Sequence, residues 1–186
     1  MQRLVRNLLA LAAALFGFWW MLVVLTLPLG QRTFAPYFNI ASIVLSPFLA
    51  TVVHEVGHAA AGALVGYRIR RIEFGPFLVN FENGFHISFG PRTDLGGYVA
   101  ALAGGKGPAN LLVLAAGGPL ANLATSLIVF LAVPLSNWSA PLAWGVGLYS
   151  LAFGVYSLWP KASDTYRSDG QVISEALRAL STRRSN

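Results

Sequence analysis

Residues 54–58 read His-Glu-Val-Gly-His, inside a stretch (Thr51 to Gly66) that otherwise holds only small and apolar side chains. Charge in such a run opposes burial: on insertion scales an acidic group at mid-membrane depth costs about 2.5–3.5 kcal/mol. On a helix, residues four apart project from one face, so His54 and His58 can grip one Zn2+ together. Glu55 lies one residue on, beside the metal rather than turned away from it. There it can act as general base toward a zinc-bound water. The pattern is H-E-x-x-H, and it favours a metal site over buried polar groups that merely bond neighbouring helices.

Two histidines do not complete a catalytic zinc site, which takes three protein ligands and keeps one position open. The third histidine of the chain, His86, alternates with Phe85 and Ile87 in a strand-like run and reads as an interfacial or hydrogen-bonded residue. The carboxylates that remain are Glu73, Glu82, Asp94, Asp164, Asp169 and Glu175. Asp169 stands out among them, because Gly170 follows it and a helix broken at Pro160 precedes it. Non-helical backbone at membrane depth is tolerated where it lines a cavity.

The elements that must hold these residues follow from composition. Of 186 residues 55% are hydrophobic and 11% charged, and mean hydropathy is +0.60. That charge fraction is less than half the roughly 25% of a soluble domain, too little to cover a globule. The chain reads as one membrane-embedded domain over residues 1–186. The absence of cysteine excludes disulfides and thiolate metal sites. The net charge of +6 is spread through short polar segments rather than gathered in a patch, so no nucleic-acid partner is expected.

Four stretches are long enough to span a bilayer, which takes about 20 apolar residues. They run over about residues 8–29, 40–66, 108–134 and 141–160. The first follows Arg3 and Arg6 but is too long for a signal-peptide core and has no clear cleavage site after it, so it reads as a retained anchor. With a cytoplasmic N-terminus, twelve of the 13 Lys and Arg residues fall in the inner segments 1–7, 67–107 and 161–186, leaving Arg32 outside. That split supports a multi-pass protein with both termini cytoplasmic. His58 then lies roughly 12 Å from the cytoplasmic end of its helix, at 1.5 Å per residue to Gly66.

Between the second and third spans, residues 67–92 hold short β-type runs around Asn83-Gly84, a dipeptide whose two positions suit a hairpin turn. After Pro160 a polar loop leads to a segment of about residues 170–182, with Val172, Ile173, Ala176, Leu177 and Leu180 at helical spacing. It predicts an amphipathic helix at the cytoplasmic surface. The expected fold is an all-α polytopic membrane protein, with about four transmembrane helices and a membrane-associated β-hairpin between the second and third.

Three stretches together resemble the site-2 protease family of intramembrane zinc metalloproteases. "HEVGHAAAGALVGYRIRRIEFGP" is similar to the family's zinc helix running into its membrane-associated hairpin. "GGPLAN", Gly117 to Asn122, is similar to the Gly-x-x-x-Asn of its next core helix. "SLWPKASDTYRSDGQ" resembles the final motif, where an Asn-x-x-Pro precedes an Asp-Gly. The resemblance implies zinc held by His54, His58 and Asp169, with Glu55 as base and Asn122 holding the substrate or stabilising the oxyanion. The chain departs from the family in having Ser157 three residues before the proline, where asparagine is usual. Its long Pro160-to-Asp169 spacing leaves Asp164 as an alternative ligand.

The activity implied is zinc-dependent hydrolysis of peptide bonds in or near transmembrane segments of membrane-protein substrates. It would serve regulated proteolysis or the trimming of remnant peptides, in a prokaryotic cell membrane. The expected partners are a transmembrane substrate, the lipid bilayer and a regulatory membrane protein, since no segment reads as an added PDZ-like domain. Two other readings compete. Ionisable residues inside a membrane also mark ion or proton paths, as in a transporter, and a catalytically inactive scaffold could share the fold.

Overall fold

The computed structural model describes residues 35–82, 84–90, 96–102, 104, 106–134, 140–163 and 167–184. The expected first span (8–29), Asn83, Asp94 and Asp164 lie outside the described residues. Four helices and a small sheet follow one another in chain order: α1 (Ala35–Leu64), β1 (Arg68–Phe74), β2 (Phe77–Asn80), β3 (His86–Phe89), β4 (Gly97–Leu102), α2 (Pro108–Ala132), α3 (Ala140–Ser157) and α4 (Asp169–Arg184). Helices α1, α2 and α3 pack against one another, and α4 lies on α2.

Ser42–Leu64 and Pro108–Ala132 are long and apolar enough to cross a bilayer, and Leu142–Ser157 is a shorter apolar helix. They correspond to the second, third and fourth expected spans. Helix α1 stops where glycine permits it: Gly66 takes φ +83°, and the Tyr67 and Gly66 N–H groups donate to the carbonyls of Gly62 and Ala63. This double closure satisfies carbonyls that the helix end would otherwise leave bare. The Asn110 side chain donates to the Val65 carbonyl at 3.0 Å and ties the start of α2 to the same corner.

The expected hairpin is part of a larger, four-stranded antiparallel sheet in the order β3-β2-β1-β4. Strands β2 and β3 pair antiparallel, and Gly84, in the segment between them, takes φ +102°. A tight turn at Gly75-Pro76 joins β1 to β2 and pairs Phe74 with Phe77. Strand β4 then pairs along β1, Glu73 opposite Tyr98 and Phe74 opposite Gly97. Its sequence, GYVAAL, lacks polar alternation and runs into a glycine-rich link, so periodicity does not separate it from a helix. Strand β3 forms one edge of the sheet. Phe85, Ile87 and Phe89 are widely exposed there, Phe89 at 81%. Strand β4 forms the other edge and packs against α1.

Helices α1 and α2 approach closely at a pair of glycines. A Cβ on Gly57 would stand 2.6 Å from the Gly117 carbonyl oxygen and 2.6 Å from the Ala121 Cβ, so only glycine fits. Small residues are the usual means of close approach between helices in lipid. Gly57→Val should therefore overpack the crossing and cost about 1–3 kcal/mol. A lowered unfolding midpoint in detergent is the expected reading, and an unchanged midpoint would contradict the contact.

Candidate metal centre

His54 and His58 project from one face of α1, as their spacing requires, and meet Asp169 at the first position of α4. His54 Nε2 lies 3.0 Å from Asp169 Oδ2, His58 Nε2 lies 3.2 Å from Oδ1, and the two Nε2 atoms are 3.1 Å apart. Three ligand-type atoms this close repel unless protons or a cation stand between them. Donors about 2.0 Å from a tetrahedral ion would sit about 3.3 Å from one another. The observed separations fit such an ion, and two imidazoles with a carboxylate are a donor set that zinc accepts. Among the described residues these three are the histidine and carboxylate group close enough to hold a metal. His86 stands away from it, exposed on β3.

Each ligand is positioned by a separate device. The His58 ring is anchored by its other nitrogen: Nδ1 lies 2.8 Å from the Leu114 carbonyl and 3.2 Å from the Gly118 nitrogen, and one ring nitrogen can donate to the first or accept from the second but not both at once. Donation to Leu114 places the ring proton on Nδ1 and leaves the Nε2 lone pair for a metal. The ring enters α2 just before Pro119, whose missing N–H already interrupts the ladder. Gly118 makes the room, because a Cβ there would overlap His58 Nε2 and stand 2.8 Å from His54 Nε2. The His54 ring stacks on Phe153 of α3, centroids 4.4 Å apart.

Asp169 arrives across a long link of eight residues after Pro160. That link doubles back on itself. Ala162 and Arg167 form an antiparallel bridge, and the Ser168 N–H donates to the Lys161 carbonyl at 2.9 Å. The Ser168 hydroxyl donates to the Trp159 carbonyl at 2.8 Å and accepts from the Lys161 N–H at 2.9 Å and the Gln171 N–H at 3.3 Å. Ser168 thus caps α4 and fastens its start to the end of α3. Gly170 completes the junction, since a Cβ there would overlap the Leu158 carbonyl. Burial alone would raise the Asp169 carboxyl, but hydrogen bonds from the two imidazoles outweigh it and hold the group down at about 2.

Glu55 is buried, at 4% exposure, and its carboxylate packs on Gly97 at the start of β4, where a Cβ would overlap it. Asn122 is completely buried, and its carboxamide nitrogen lies 3.2 Å from His54 Nδ1. Ser157 uses its hydroxyl on its own helix, donating to the Gly154 carbonyl at 3.1 Å. Sequence reasoning passed over Ser168, Phe153, Gly118 and Gly97. The first carried a usable signal, a serine just before the first turn of a helix. Phe153 carried none, because one phenylalanine in an apolar helix looks like any other.

Two histidines four apart and a carboxylate from a distant helix make a metal donor set, and the buried glutamate beside them completes the residue types of a metallopeptidase centre. The chain belongs to Peptidase family M50, the site-2 protease family, whose model matches residues 42–184. Members of that family are membrane metalloproteases that use zinc. No curated protein and no solved structure matches the chain. Purified protein should carry about one zinc per chain. Alanine at His54, His58 or Asp169 should remove it, while Asp164→Ala and His86→Ala should retain it, as read by elemental analysis. Loss of zinc from Asp164→Ala with retention in Asp169→Ala would move the third ligand.

Proposed function

We propose that the protein is a zinc-dependent intramembrane endopeptidase that cleaves transmembrane segments of membrane proteins near the cytoplasmic side. The observation that carries this reading is the convergence of Asp169, at the start of α4, with His54 and His58 beside buried Glu55, the last three on a helix long enough to cross a bilayer. The charge split of the sequence supports several spans with cytoplasmic termini. Substrate choice then depends on a membrane partner or on prior trimming by another protease.

His54, His58 and Asp169 would hold the zinc ion, which when bound would supply a Lewis acid toward the scissile carbonyl and the attacking water. The chain's own groups do the rest. Glu55 takes a proton from the attacking water as its oxygen bonds the carbonyl carbon. When the carbon–nitrogen bond breaks, Glu55 returns the proton to the leaving amine. Packing against Gly97 holds the carboxylate on the side of the centre where β4 runs.

A transmembrane helix hides its amides in its own hydrogen bonds, so the substrate must unwind before it is cut. The free edge of β4 offers an unwound segment new backbone partners by strand addition. That edge borders Glu55, whereas the β3 edge lies two strands away. Substrates are thus expected to carry helix-weakening residues near the cleaved bond. Replacing them with strong helix formers should slow cleavage of a reconstituted substrate, and equal rates would contradict the unwinding step.

Glu55→Gln should lower cleavage by about 10²–10⁴-fold, the usual worth of a positioned base, and leave zinc content unchanged, because the glutamate is not a ligand. The assay is hydrolysis of single-span membrane proteins by purified protein, with and without a chelator. A Glu55→Gln protein that lost zinc but kept an ion flux in proteoliposomes would favour a transporter instead.

A further inference from the structure

Asn122 is the largest fully buried side chain of the bundle, and its two polar atoms are used unequally. The carboxamide nitrogen meets His54 Nδ1 at 3.2 Å, while the oxygen is buried without a hydrogen-bond partner. A buried, unpartnered carbonyl costs about 1–3 kcal/mol. Oxygen and nitrogen of a carboxamide exchange places by a half-turn of the amide group, with no backbone movement. Either orientation leaves one atom without a partner, so burial alone does not choose between them. The proton on His54 does.

A neutral imidazole that ligates through Nε2 carries its proton on Nδ1. That proton needs an acceptor, and the group beside Nδ1 is the Asn122 carboxamide. His58 makes the same arrangement with a backbone carbonyl, Leu114. Phe153 on the other face of the His54 ring offers no acceptor. We propose that Asn122 is a positioning residue of the metal centre, whose carboxamide oxygen accepts the Nδ1 proton of His54 when Nε2 ligates zinc. This rests on the metal-centre reading above, and it gives Asn122 a role through His54 rather than on the substrate. It fixes both the tautomer and the ring angle, and groups that orient metal-bound histidines in this way raise their basicity as ligands.

The test compares Asn122→Leu, which keeps the branching and heavy-atom count but loses the acceptor, with Asn122→Asp, which accepts without donating. Zinc affinity is measured by competition with a chromogenic chelator, so no peptide hydrolysis is needed. Asn122→Leu should bind zinc about 10–100-fold more weakly, and Asn122→Asp should bind at least as tightly as the wild type. The visible absorption of the Co2+-loaded protein should change in the leucine variant and persist in the aspartate one. A leucine variant with wild-type affinity and lost cleavage would overturn the proposal and place Asn122 on the substrate. An aspartate variant as weak as the leucine one would overturn it in favour of a structural role.

Should the leucine variant not fold, zinc-loaded wild-type protein labelled with 15N-histidine gives the answer without substitution. His54 Nδ1 should carry a slowly exchanging proton; an unprotonated or metal-bound Nδ1 would overturn the proposal. Wild-type protein that bound no zinc would instead overturn the metal centre itself.

Discussion

The separation of α1 and α2 governs the centre. In lipid no hydrophobic effect drives two apolar helices together, so their association depends on close packing and on hydrogen bonds between them. Gly57 and Gly117 remove the side chains that would hold the helices apart. The bonds follow from that proximity. His58 reaches the Leu114 carbonyl, and Asn122 reaches His54. One methyl group at the crossing would lengthen both contacts at once, because each spans the same gap. Packing and ligand geometry are therefore one constraint rather than two.

Pro119 adds a second consequence to the same contact. Proline inside a helix removes one donor and crowds the carbonyl four residues earlier. Such a break is usually a weakness, yet here the disturbed turn is where His58 inserts. Gly118 clears space for both imidazoles beside it. The third candidate ligand, Asp169, comes from a different part of the chain and needs its own anchor. Ser168 supplies that anchor by spending its hydroxyl on Trp159, Lys161 and Gln171, so that the eight-residue link is folded aside and Asp169 still meets the histidines.

Much of this was legible in the sequence where residue type and spacing act locally. His54 and His58 share a face because a helix turns about 3.6 residues at a time, and Asp-Gly after a broken helix marked Asp169. Gly84 between two strands was legible for the same reason, as its positive φ selects glycine. What escaped depends on partners far apart in the chain. Strand β4 is defined by pairing with β1, 23 to 34 residues away in sequence. Phe153 matters because α3 brings it onto His54. The sheet therefore read as a hairpin until its fourth strand was placed.

The two edges of the sheet face different problems. Unpaired strand edges are hazards, because they template further pairing. Strand β3 carries large apolar side chains outward, which suits an edge surrounded by lipid rather than water. Strand β4 has its start against the Glu55 carboxylate. Inside a bilayer an unwound peptide has no water to satisfy its backbone, and each bare group costs several kcal/mol. In the proposed function, an edge that supplied those partners beside Glu55 would lower that penalty where the bond must open. A glutamate buried in an apolar helix is costly, and so is a strand edge left unpaired; set side by side, each gives the other a use.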